Sequence, residues 1–227
     1  IDVRKISLAH IASLPRDIRN QIILGQIITK LGSLSAQHSA VLIPGHLTTI
    51  WSMCATSDGT KIITASEDES VRILDRKNNK MHGFSKKNAP GANSVFLMSK
   101  DNKIVAGYDD QAVRVWSIKN HKQLAELKGH AGRVMSVCVT KDGSMIVSGS
   151  LDGTVRIWDS KNYKEIAAFP VDKHGVWSVC VTQDGSKIIA GCEDGTIRIL
   201  DIKTGKELAN LQGHTQRVYA VRVTRDD

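Results

Sequence analysis

Aromatic residues are scarce, only 4% of the 227 positions, so an aromatic in a regular pattern is informative by its place. Long apolar runs are missing too. None approaches the roughly 20 residues that span a bilayer, and the opening IDVRKISLAH lacks the unbroken apolar core of a secretory signal. The chain begins with Ile1, not Met, as a processed product or a fragment would. Cysteine is sparse: Cys54, Cys138, Cys180 and Cys192 form no CxxC pair, and no cluster of Cys and His suggests a zinc site. Three of the four recur at one place in SMCAT, SVCVT and SVCVT, where mutual pairing is not expected. They read as small buried apolar residues in a reducing compartment.

Charge of one sign is in modest excess, at +8. Such a balance can serve nucleic acid or an acidic membrane when it is concentrated on one face. Here it is spread out. Arg72, Arg114, Arg156 and Arg198 stand 42 residues apart in VRIL, VRVW, VRIW and IRIL, and many lysines fall in turns such as KNNK. With 41% apolar and 24% charged residues, the composition is that of a globular protein with a sizeable core.

What is abundant is repetition. Asp68, Asp110, Asp152 and Asp194 are spaced by 42, and so are Leu74, Trp116, Trp158 and Leu200. Within the third copy, RVMSVCVT alternates and is rich in β-branched residues, as a strand should be. A turn at Lys141-Asp142-Gly143, a strand SMIVSGS, a turn at Asp152-Gly153 and a strand TVRIWD follow, with a fourth strand near KEIAAFP. Asp-Gly suits a two-residue hairpin because both positions tolerate positive φ. Each copy therefore predicts a four-stranded antiparallel sheet that must stack on its neighbours. The expected spans are 50–85, 93–128, 133–170 and 176–212, with part of a fifth copy at Arg217–Thr224.

The stretch SGSLDGTVRIWD raises a different possibility. Ser148 and Asp152, with His130 upstream in KGHAGRV, supply the residue types of a hydrolytic triad. The same residues, Gly129-His130…Trp158-Asp159, carry a resemblance to the WD-repeat family of β-propellers, whose repeats run to 40–45 residues. The resemblance covers residues 39–227. It implies an all-β propeller of four-stranded blades, four complete repeats plus part of a fifth. A seven-bladed ring would need on the order of 300 residues at about 42 per blade, so these repeats are expected to be a portion of such a ring. It also implies that His130, Ser148, Asp152 and Trp158 are a structural hydrogen-bonded tetrad and not a catalytic set. The other copies keep only parts of it: His46, Thr64 and Asp68 in the first, Asp110 and Trp116 in the second, Asp194 in the fourth.

In this family partners often dock on the face carrying the loops that enter the innermost strands. Three positions per blade commonly contribute. Carried over, these are Thr49, Trp51 and Glu67, then Ala92, Ser94 and Asp109 aligned without a His, then Arg133, Met135 and Leu151. Gly175, Trp177 and Glu193 follow, and Arg217 and Tyr219 in the partial fifth copy. Trp51, Trp177 and Tyr219, with Arg133 and Arg217, have the composition of binding hot spots. The alternative is that the rings plug a central channel. Glu67, Asp109 and Glu193 add acid to the same rim, which suits a partner presenting Lys or Arg and disfavours a phosphate backbone.

Residues 1–38 lie outside the repeat. RDIRNQIILGQIITKLG has a mostly helical apolar spacing, with Ser13 as a cap, Pro15 in the first turn and Gly32 as a stop. LPRDIRNQI also resembles the start of an F-box, which implies a substrate-recruiting subunit of a ubiquitin ligase as the alternative function. The reading favoured by the sequence is a non-enzymatic scaffold or adaptor that binds other proteins or peptides within a multi-subunit complex. It needs no cofactor, metal or membrane. A basic RNA-associated propeller is the further alternative, and the cytoplasm is the expected location, with the nucleus second.

Overall fold

The computed structural model describes residue 46 and residues 48–84, 90–98 and 102–224. The helical reading and the F-box-like stretch fall outside these residues. The chain divides into two compact units, Ile1–Thr49 and Ile50–Asp227. All the described strands lie in the second.

Sixteen strands form four antiparallel sheets, each built from four consecutive strands in sequence order. The first sheet holds β1 (Ile50–Ala55), β2 (Lys61–Ser66), β3 (Val71–Asp75) and β4 (Lys80–Phe84). The second holds β5 (Ala92–Met98), β6 (Lys103–Tyr108), β7 (Val113–Ser117) and β8 (Gln123–Leu127). The third holds β9 (Val134–Val139), β10 (Met145–Ser150), β11 (Thr154–Asp159) and β12 (Glu165–Pro170). The fourth holds β13 (Val176–Val181), β14 (Lys187–Cys192), β15 (Ile197–Asp201) and β16 (Glu207–Leu211). Hairpins make this topology cheap, because each strand pairs with the next across a short turn. The described residues contain no helix, and hence none long and apolar enough to cross a membrane.

The core lies between sheets, not within them. Ile63, Ile73 and Phe84 of the first sheet pack with Val95 and Ile104 of the second. Val105, Val113 and Leu127 of the second meet Val137 and Trp158 of the third. Val155 and Ile157 of the third meet Val179 and Ile188 of the fourth. A sheet with two apolar faces thus buries both only by having neighbours. Cys138, Cys180 and Cys192 are buried and Cys54 half-buried, and all four are free thiols.

Serines bind successive sheets together. The backbone N–H of Val95 donates to Ser52 Oγ at 3.2 Å, Val137 to Ser94 at 3.1 Å and Val179 to Ser136 at 3.0 Å. Val221 donates to Ser178 at 3.0 Å in the same way. These serines are spaced by 42, so each first strand carries an acceptor for the first strand of the next copy.

At the expected fifth copy, Arg217–Thr224 forms no strand. A ladder needs a partner strand, and among the described residues none pairs with this segment. The segment is nevertheless held in place: Val218 N–H donates to the Cys192 carbonyl at 3.0 Å, and Val218 and Val221 bury their side chains against the fourth sheet.

One irregularity repeats in all four sheets. Near the start of each first strand the register slips, so Trp51, Asn93, Met135 and Trp177 each stand as an extra residue between ladder pairs. A β-bulge of this kind re-aims a side chain out of the sheet alternation.

Candidate functional site

The tetrad of the third sheet is complete. Trp158 Nε1–H donates to Ser148 Oγ at 2.9 Å, and Ser148 lies 2.8 Å from His130 Nε2. His130 Nδ1 lies 2.9 Å from Asp152 Oδ2. An ionised carboxylate only accepts, so Nδ1 carries the proton and Nε2 accepts from the Ser148 hydroxyl. Burial raises the Asp152 carboxyl, but bonds from His130, Thr154 and the Ala131 and Thr154 backbone outweigh it and hold the group well below the usual range. Thr154, which donates to Asp152 Oδ1 at 2.7 Å, is a fifth member that the sequence pattern did not mark.

The distances are those of a Ser–His–Asp triad, but the setting is not. Ser148 is 0% exposed, in the middle of β10, and its hydroxyl oxygen is already occupied by Trp158. No substrate reaches it while the sheet is closed.

The second sheet solves the same problem differently. Ala106 replaces the serine, and the Trp116 indole donates instead to the Tyr108 hydroxyl at 3.1 Å. Arg114 lies over the Tyr108 ring at 4.6 Å and bonds Asp110 and Glu126. Tyr108→Phe leaves the buried Trp116 N–H without an acceptor and is expected to destabilise by about 1–3 kcal/mol in urea unfolding.

The repeated strand arginines are also assigned. Arg72, Arg114 and Arg198 each pair with the turn aspartate four residues before. In the third sheet, where His130 takes Asp152, Arg156 pairs with Glu165 instead.

Two groups of the predicted rim residues meet beside bulges. Trp177 donates its Nε1–H to Glu193 and meets Tyr219 edge-on with centroids 5.3 Å apart. The Arg217 guanidinium lies 4.6 Å from the Trp177 ring centroid and 3.1 Å from Glu193. Arg133 stands 3.6 Å from Asp109. Two of the three rim acids are thus matched by an arginine 24 positions later, and the rim carries mixed charge. Leu151 and Met135 are half-buried, Glu67 is exposed, and Thr49, in the preceding unit, is half-buried. Trp51 is 56% exposed and Tyr219 66%.

One register assignment is corrected. Ala92 and Ser94 are buried, and Ser94 is one of the inter-sheet serines. The side chain at the rim is Asn93, which donates to Asp109 Oδ1 at 2.9 Å. Without a histidine in this copy the alignment slipped by one residue, and in a strand that exchanges the two faces.

Comparison with protein families matches the family described as WD domain, G-beta repeat, at residues 37–75, 121–159 and 164–201, just over half of the chain. The chain belongs to the WD40 family. The comparison with curated proteins finds no match. The WD40 matches leave out residues 76–120, which hold β4 of the first sheet and β5, β6 and β7 of the second. That sheet has Ala106 and Tyr108 where the third has Ser148 and Ser150, so a conserved architecture is carried by an altered bond. WD40 repeats generally mediate protein–protein interaction.

Proposed function

We propose that the four sheets are consecutive blades of a β-propeller and that the bulge-bearing rim docks proteins or peptides, the chain serving as a non-catalytic scaffold or adaptor. The observation that carries this reading is the bulge repeated in every first strand. It sets Trp51, Asn93, Met135 and Trp177 at equivalent places, and at the last of these Arg217 lies against two aromatic rings. The exposed Tyr219 and the half-buried Trp177 and Arg217 cluster there, and these are the residue types that dominate binding energy. With Asp109 paired to Arg133 and Glu193 to Arg217, the rim has mixed charge and not the basic stripe that a phosphate backbone requires, which favours a protein partner.

The test is the triple variant Trp51→Ala, Trp177→Ala, Tyr219→Ala. The expected result is an unfolding midpoint close to wild type with partner affinity reduced at least tenfold, because hot-spot truncations typically cost about 2 kcal/mol or more. A large drop in melting temperature with partner capture unchanged would mean that the rings are packing elements. Strongly salt-dependent RNA binding would favour the nucleic-acid reading instead.

A further inference from the structure

The fourth sheet departs from the third at aligned places. Counting 42 residues on from His130, Ser150 and Asp152 reaches Asp172, Cys192 and Asp194. One ligand atom from each lies within 4.8 Å of the other two. In the third sheet the imidazole donates its Nδ1–H to Asp152. In the fourth a second carboxyl group stands in its place and brings no imidazole N–H to bond the first.

The consequence is visible at Asp172, which is 4% exposed. Its Oδ1 accepts from the His174 N–H at 3.3 Å and lies 3.9 Å from Arg198. Its Oδ2 is buried with no hydrogen-bond partner. A buried carboxylate oxygen without a donor is rare and calls for a cause. Arg198 is the nearby cation, but it also serves Asp194 at 2.9 Å and Glu207 at 3.9 Å. Several carboxylates thus draw on one guanidinium.

We propose that Asp172, Cys192 and Asp194 form a zinc-binding site. A sulfur donor beside carboxylates selects a borderline-soft divalent ion over magnesium or calcium, which take oxygen alone. Asp172 and Cys192 form the buried wall, and the more exposed Asp194 is the solvent side, through which the ion enters. Three protein ligands leave the fourth tetrahedral position to water. Two carboxylates and a thiolate are then balanced by the zinc ion and Arg198. Burial pushes the Cys192 thiol up to about 11, so zinc binding releases its proton to solvent. The sequence hides this site because its ligands are not clustered along the chain; only the 42-residue alignment exposes the change.

The test uses the full chain and cobalt(II), the spectroscopic stand-in for zinc. One equivalent is expected to produce a thiolate-to-cobalt charge-transfer band that zinc abolishes. Cys192→Ser, which installs the residue found at the aligned position 150, is expected to remove the band. Asp172→Asn is expected to weaken zinc binding by at least about tenfold, since even outer-shell changes cost that much. Should Cys192→Ser fail to fold, the zinc-dependent rise in melting temperature decides: it is present in wild type and smaller in Asp172→Asn at equal zinc concentration. No band in wild type, a band persisting in Cys192→Ser, or equal zinc affinity in Asp172→Asn overturns the proposal.

Discussion

Asp152→Ala is expected to destabilise the protein by about 3–5 kcal/mol, the range for removing one partner from a buried charged network. The carboxylate accepts from His130, Thr154 and the Ala131 and Thr154 backbone. Truncation strands all of these donors at once, and with them the path through Ser148 to Trp158. Urea unfolding followed by tryptophan fluorescence measures the loss. The pH dependence fixes its origin. Asp152 is held below the usual carboxylate range in the folded state. Its contribution is therefore complete above the unfolded value of about 3.9 and disappears as pH falls through the lower folded value. The gap between wild type and variant should shrink as the solution is acidified below about pH 4. Asp58, Asp142 and Asp184, each lowered to about 2 by bonds within its turn, act with the same sign but are present in both proteins. A gap independent of pH would show that packing, not the carboxylate, was lost.

Gly153→Ala should be nearly as severe. Its φ is 82°, but backbone conformation alone does not decide the matter. Glu69 and Gln111 occupy the same turn position in the first two sheets with φ of 68° and 72°. What is particular to Gly153 is the approach of the next loop: a Cβ here would lie 2.0 Å from the Asp172 carbonyl oxygen. The Gly153 carbonyl also accepts from the N–H groups of Val171 and Asp172, so the two segments cannot separate without losing those bonds. Gly143 is the control, with φ of 80° and nothing within 4 Å of a Cβ. Gly143→Ala should cost about 1–2 kcal/mol for the left-handed conformation. Gly153→Ala adds about 1–3 kcal/mol of overpacking against backbone. Similar unfolding midpoints for the two variants would sink the distinction.

How far the sequence could be read follows the range of the interaction. Strand and turn positions depend on neighbours a few residues away, and the alternation in RVMSVCVT and the Asp-Gly at 152–153 located them closely. The tetrad was legible because His130 to Trp158 fall within one copy. Tyr108 taking over the indole of Trp116 was not, since a tyrosine two positions from the lost serine looks unrelated until strand pairing brings the rings together. Asn93 was missed for want of a histidine to set the register. The rim arginines were named individually, yet their pairing with Asp109 and Glu193 belongs to the junction between sheets and has no local signature.

The inter-sheet serines give the stack a direction. Each first strand offers an oxygen to the strand that comes later, never to the one before, so an earlier copy can act as a template for its successor as the chain grows. The next position in that series, 42 residues after Ser178, is Ala220. An alanine offers no side-chain acceptor, so the template runs out there. The segment around it is held from the other side, by Val218 and Val221 packed on the fourth sheet and by the Val218 N–H bonded to the Cys192 carbonyl. Of the five aligned positions, 52, 94, 136, 178 and 220, this is the one where the zipper lacks a tooth.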